Sequence, residues 1–473
     1  MALILCAYVV GLFGLAIWAN RKVQGADDFF VAGRKLSLPV STATLFGTWF
    51  GAGTLLAAAD EVRADGLRAV AMEPIGAGLC LVVVGLVFAR KLWRAKLLTL
   101  GDFYRQRFGP VAEWLFALSA ATYLGWIAAQ LVGMGGVLHT LFDVPMGTAM
   151  VITTIIALAY TLIGGMWSVA LTDSVQIALL IGGLVWVLIS VLSGMGEGDL
   201  TAGLDALQAQ APAGHLIVIP TEKAGELWGW VNLLIVGTLG NIAGNDVMQR
   251  VFSARSPEVA RGACLIAGVG YLVVGVAPAL LGVAAAILMP DVATAVLPAL
   301  AQKVLDPVSS TLFTLALVSA VLSTLDSALL SASTVVARNL VQPLWPRPLP
   351  MLKVTRWACV VMAGLSLALA FAGESAFGLL EGSYALTLAG PFVPLLFGLW
   401  WGRGGQLAAV ASLILGYGIT ALELIYPEMQ PPIPLPLLAL GVSAVVYVTL
   451  AWWAGGAGPN PEAGPVDQGP DPA

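Results

Sequence analysis

The chain is a succession of apolar stretches, each long enough to cross a bilayer and each divided from the next by a short polar stretch, and few folds accommodate that pattern. A hydrocarbon core about 30 Å thick takes roughly 20 apolar residues per helical crossing. Such stretches lie near residues 2–20, 38–60, 69–90, 111–138, 146–165, 173–194, 228–248, 263–289, 309–336, 354–372, 379–401, 405–426 and 433–454, and are called spans 1 to 13. With 59% of the residues hydrophobic and 10% charged, the bilayer is the solvent. The fold class is therefore all-α and polytopic, because backbone polar groups in lipid must be satisfied within each segment. A nucleic-acid partner is excluded, and no obligatory protein partner is inferred.

Lysine and arginine test the count, since they collect in the cytoplasmic loops of a correctly divided membrane protein. Eighteen of the 22 fall in alternate loops, among them Arg34, Arg94, Arg250, Arg338 and Arg403; Arg63, Arg68, Lys223 and Lys303 make up the other set. The expected orientation has the N-terminus outside and the C-terminus cytoplasmic, in a bacterial-type inner (plasma) membrane. Span 1 has no basic residue before it and Arg21 and Lys22 directly after it, so it reads as an uncleaved helix. Residues 195–227 read as an external loop and 455–473 as a disordered cytoplasmic tail. Cys6, Cys80, Cys264 and Cys359 lie inside apolar stretches and read as buried free thiols. His139 and His215 fall at the external surface with no assigned role. Gly196 to Asp199 has the GxGD form of an intramembrane protease, but in a loop and without a second aspartate motif.

Two spans are not continuous helices by composition. Span 2 places Gly47, Gly51 and Gly53 at its middle, and span 7 places Gly240, Asn241, Gly244, Asn245 and Asp246 where lipid calls for apolar side chains. Glycines also serve close helix packing. Interrupted helices at corresponding positions of two halves, here five spans apart, point to a transporter site.

Span 9 carries Ser319, Ala320, Ser323, Thr324, Asp326, Ser327 and Ser331 within an apolar run. Ser323 and Ser327 share a helical face, so side-chain and carbonyl oxygens there suit a hard cation. Asp326 in mid-span needs a partner or an ion. Asp173 is read either as a helix cap or as part of the site. Glu73 lies inside span 3 without a basic neighbour in sequence, and Trp49 and Trp126 lie deep in spans 2 and 4. Together these three could form a box for an organic cation.

These stretches together resemble the sodium:solute symporter family from about Ala26 to Gly404. The most specific pieces are Ala32-Gly33-Arg34, Tyr160 to Gln176, Gln249-Arg250-Val251 and Ser323-Thr324-Leu325-Asp326-Ser327. The resemblance implies a leucine-transporter-type core of two inverted five-helix repeats, 38–194 and 228–402. Residues 1–37, a first helix and cytoplasmic loop, precede it, and two helices in 403–454 follow. It implies a sodium ion held by carbonyls of Gly47, Phe50 and Ala320 with hydroxyls of Ser323 and Thr324. A second sodium would use Asp173, Ser327 and Asp326, the last standing where some members carry serine. Thr44 to Gly53, Trp126 and Tyr160 to Gln176 look most similar to choline transporters. Trp49 and Trp126 match two positions of their aromatic box, and Gly244 replaces the third. Glu73 falls where sugar-carrying members bind substrate hydroxyls, and Gly51 and Asn245 complete the expected substrate-binding set.

The expected function is sodium-coupled import of a small organic solute by alternating access, with choline or another organic cation foremost. An uncharged amino acid, sugar or carboxylate cargo is the second reading, and a proton-coupled carrier using Asp173, Asp326 or Glu73 the third. No HExxH, GxSxG or P-loop pattern occurs, so no enzyme is expected.

Overall fold

The structure, a computed structural model, describes residues 2–373, 375–426 and 431–453. The tail expected at 455–473 lies outside the described residues. Secondary structure among the described residues is helical, apart from one isolated bridge between Leu36 and Ala254.

Ten helices among the described residues are long and apolar enough to cross a membrane, against thirteen spans in the sequence pattern. The difference has physical causes. Spans 5 and 6 run as one helix, Met146–Met195, of 50 residues. At 1.5 Å per residue a straight helix of that length would reach about 75 Å, more than twice the hydrocarbon thickness. Gly165, at φ 54° and ψ −161°, interrupts it, in a conformation that a side chain rarely tolerates. Spans 2 and 7 are interrupted as well. Span 2 is helical over Leu38–Trp49, leaves the helix at Phe50 (ψ 59°), and resumes through Gly53–Ala57 into Ala58–Asp65. Span 7 is helical over Ala224–Leu239 and again over Asn245–Ser253. Span 3 is broken at Glu73, where the backbone is extended (φ −130°, ψ 122°).

Span 9, Pro307–Val335, is the central pillar, buried almost throughout from Phe313 onward. It packs against the Met146–Met195 helix, against spans 4 and 10, and against the first half of span 2. Span 8 lies along spans 2 and 3, span 11 along span 4, and spans 12 and 13 pair with each other at the edge. Span 1 packs on the outside of Met146–Met195 with many of its side chains exposed, as a lipid-facing helix should be.

Both ends of the bundle are tied. At one end Asp60 accepts two backbone hydrogen bonds, from Ala295 and Val296 at the start of the helix Val296–Val304, each 2.9 Å. At the other end Asp102, on the helix Leu100–Phe108, pairs with Arg338 at 2.8 Å, and Asn339 donates to Glu113 at 2.9 Å. Two sequence readings are corrected here. Cys6 is exposed on the lipid-facing span 1, while the other three cysteines are buried. Arg250 is not a loop cation: the second half of span 7 continues to Ser253 and carries Arg250 fully buried.

Candidate functional site

A break in a membrane helix releases hydrogen-bonding groups that must find partners elsewhere. At span 2 the released groups can be followed one by one. The Phe50 N–H still reaches Phe46 O at 2.9 Å, but the Gly51 N–H turns back to Trp49 O at 2.7 Å. Gly47 O thereby loses its helical donor and faces span 9, where Ser323 Oγ donates to it at 3.0 Å and Thr324 Oγ1 at 3.3 Å. The Ala52 N–H is taken by Gln130 Oε1 of span 4 at 2.7 Å. Trp49 O also accepts from the Tyr271 hydroxyl at 3.1 Å. Gly51 is there because nothing larger fits: a Cβ would stand 2.2 Å from Thr324 Oγ1 and 2.6 Å from Gln130 Oε1.

Gly47, Ser323, Thr324 and Ala320 therefore converge, Thr324 Oγ1 also donating to Ala320 O at 3.2 Å. Phe50 marks the break itself, its ring stacked on Phe46 at 4.9 Å. Carbonyl and hydroxyl oxygens of this kind, sealed from solvent, are the donor set a hard monovalent cation requires. Asp173 adjoins them. It is no helix cap: wholly buried within Met146–Met195, it accepts from Ser323 Oγ and, at 2.5 Å, from Thr44 Oγ1. Ser327 lies beside Thr48 at 3.4 Å and beside Asp326 Oδ1 at 3.4 Å.

A narrow, half-open cavity of about 20 Å³ lies between spans 4, 7 and 11. Trp126, Tyr123, Asn241, Gly244, Asp246 and Tyr384 are among its walls. Of the expected substrate residues it brings together Trp126 and Gly244. Trp49 stands at its border, its indole N–H donating to Asp246 Oδ2 at 2.5 Å. The Tyr123 hydroxyl donates to Asp246 Oδ1, also at 2.5 Å, and the Tyr123 and Trp126 rings lie 5.6 Å apart. The position that Gly244 leaves without a side chain is thus bordered by a carboxylate whose two oxygens are each oriented by an aromatic donor.

Three expected substrate residues do not line this cavity, for reasons visible in their contacts. Glu73 is 1% exposed and engaged by Thr54 (2.7 Å), Tyr271 (2.9 Å) and Tyr384 (3.2 Å), so that Tyr384 is its nearest link to the cavity. Asn245 Oδ1 caps the Leu100 N–H at 2.9 Å and its Nδ2 reaches Ser331 Oγ at 3.0 Å, which ties span 7 to the helix Leu100–Phe108 and to span 9. Gly51 belongs with the cation cluster. Asp246, Tyr123, Gln130 and Arg250 are the residues that sequence reasoning did not select. Asp246 stood in the polar run of span 7 and Arg250 in the Gln249-Arg250-Val251 piece of the family resemblance, while Tyr123 and Gln130 gave no local signal.

Elsewhere, Asp199 closes the protease question. Its carboxylate caps the helix Leu200–Gln210 by accepting from Thr201 N (2.7 Å) and Ala202 N (3.1 Å). Those hydrogen bonds, from Ala202 and Thr201, hold its carboxyl below the usual aspartate range.

The sodium:solute symporter family model matches residues 29–416. The chain belongs to the sodium:solute symporter family. It is 30% identical over 364 residues to the human high affinity choline transporter 1, spanning 72% of this chain and 62% of that protein's length. It is 25% identical over 465 residues to the Escherichia coli sodium/pantothenate symporter, spanning 92% and 94% of the two chains. A solved Na+-coupled sialic acid symporter, in a substrate-bound outward-open state, superposes with a TM-score of 0.79 at 17% identity, over 96% and 97% of the chains. The chain thus has the leucine-transporter-type fold.

Proposed function

We propose that the chain is a secondary active symporter that uses an inward sodium gradient to import a small organic cation of the choline class by alternating access. The observation that carries the reading is the released carbonyl of Gly47 facing Ser323 and Thr324 across the break in span 2. Sodium held there by Gly47, Phe50, Ala320, Ser323 and Thr324 joins a helix that can rock to one that stays fixed, so its binding biases the outward-open form. For the cargo, the support is a pocket walled by Trp126 and Tyr123, with the buried carboxylate of Asp246 at its edge. Aromatic faces and a carboxylate both favour a cation over a neutral or anionic solute. A cargo recognised through Glu73 gains less support, because that carboxylate is already engaged by three hydroxyls.

In this reading the N-terminus is outside, the C-terminus is cytoplasmic and the membrane is a bacterial-type plasma membrane. A potential of about 100 mV contributes roughly 2.3 kcal/mol per charge and a tenfold sodium gradient about 1.4. The sodium ion alone then supports accumulation of roughly several-hundredfold, and the charge of a cationic cargo adds about 2.3 kcal/mol more. The test is uptake of radiolabelled choline into proteoliposomes with sodium and proton gradients imposed separately, beside a thermal-shift screen of choline, betaine, proline, pantothenate and sugars. Accumulation driven by sodium alone, and stabilisation by cations, are expected. Uptake driven by protons without sodium, or stabilisation by the neutral and anionic compounds only, would overturn the reading.

A further inference from the structure

Arg250 lies on the inner half of span 7 with its side chain wholly buried. Nη1 donates to the main-chain carbonyl of Asp246 at 3.1 Å, and Nη2 donates to Ser327 Oγ at 2.5 Å. Nε has no hydrogen-bond partner among the described residues. On the far side of Ser327, 3.4 Å away, is Asp326 Oδ1. Asp326 Oδ2 accepts no hydrogen bond of normal geometry, the nearby Tyr160 hydroxyl being committed to Thr172. Asp173 completes the group through Ser323 and Thr44. Both carboxylates are wholly buried, and among the described residues neither forms an ion pair within 4.0 Å.

Charge counting then becomes informative. With both carboxylates ionised, the two of them and one guanidinium would carry a net charge of one negative in a buried place, where an uncompensated charge is costly and calls for a cation. A guanidinium does not release its proton under these conditions, so its charge is permanent. It also occupies the hydroxyl, Ser327, that a second sodium would need.

We infer that Arg250 acts as a tethered cation in place of a second sodium ion, so that the Asp173, Asp326 and Ser327 cluster, together with the site at Gly47, takes one sodium and not two. The inference rests on the sodium-coupled reading above and fixes its stoichiometry. A tethered charge neutralises the cluster in every state but never crosses the membrane with the cargo. Only the mobile ion draws on the gradient.

Equilibrium binding of radioactive sodium to the purified full chain in lipid nanodiscs, with potassium as the ionic-strength control, counts ions per protein. The wild type is expected to saturate at one ion, Arg250→Gln at two, and the Arg250→Gln/Asp326→Asn pair at one again. Asp326→Asn alone leaves the cluster neutral with Arg250 in place. It should weaken sodium binding at least tenfold, and it reads out the same charge balance if Arg250→Gln fails to fold. Two ions in the wild type, one ion in Arg250→Gln, or wild-type affinity in Asp326→Asn each overturns the role of Arg250 and leaves sodium binding itself intact. A wild type that binds no sodium removes the sodium-coupled reading and the role of Arg250 with it.

Discussion

Replacing Gly51 with alanine adds one methyl group at the point where spans 2, 4 and 9 meet. The new Cβ would stand 2.2 Å from Thr324 Oγ1 and 2.7 Å from Thr324 Cβ. The hydroxyl could rotate away, but Cβ is fixed to the span 9 backbone, and carbon atoms rest about 3.5–4.0 Å apart. Thr324 must therefore withdraw by roughly 1 Å, and it withdraws from Gly47 O, the carbonyl it now faces at 3.3 Å. Overpacking of this kind costs about 1–3 kcal/mol. We expect most of it to appear in sodium binding, because the ion needs Thr324 back in place. At 1.4 kcal/mol per tenfold, the sodium midpoint should rise roughly 5- to 150-fold. The assay is thermal unfolding of the purified protein at increasing sodium, with potassium holding ionic strength constant. Gly364→Ala, where a Cβ meets nothing within 4 Å, is the matched control. A Gly51→Ala protein that folds and keeps a sodium midpoint within about twofold of wild type would refute the reasoning.

Ser323→Ala or Thr324→Ala should each raise the sodium midpoint about tenfold or more, as one oxygen of the cage is lost, and sodium titration of uptake reads this directly. Asp246→Asn removes the charge and keeps an acceptor for only one of the Trp49 and Tyr123 donors; affinity for cationic cargo measured by thermal shift should fall at least tenfold, while the sodium midpoint stays near wild type. Gln130→Met leaves the Ala52 N–H without its partner, so the protein should lose about 1–3 kcal/mol of stability, visible as a lower Tm in sodium-free buffer. Asn245→Ala should likewise lower Tm through loss of the Leu100 and Ser331 contacts, without a change in cargo selectivity, since that side chain faces away from the cavity.

Much of the oxygen cluster between spans 2 and 9 was legible because its signals are local. Glycine inside a membrane span is conspicuous, and so are hydroxyls on one face of an otherwise apolar helix; Gly47, Ala320, Ser323 and Thr324 stood out that way, with the family resemblance adding Phe50 and the role of the Gly47 carbonyl. The cavity was less legible. Its walls come from spans 4, 7 and 11, and whether a polar residue faces a cavity depends on helix rotation that apolar periodicity does not specify in buried helices. Asn245 and Asp246 are adjacent, yet one turns to the helix Leu100–Phe108 and the other to the aromatic rings. Glu73 was conspicuous as a carboxylate without a basic neighbour, and the three hydroxyls that engage it come from elements distant in sequence. Arg250 was misread because cations near a helix end usually belong to loops, and only the course of span 7 through Ser253 shows otherwise. The count of spans also depends on geometry: a 50-residue helix and two interrupted ones do not divide by length alone.

The clasp between Asp60 and the two amides of Ala295 and Val296 gives that end of the molecule a clock. Those two protons trade with deuterium when the carboxylate lets go, so their exchange rate would time any swing of the Asp60 end of span 2. A cargo or ion that lengthens the interval between swings would announce itself at these two residues, far from the place where it binds.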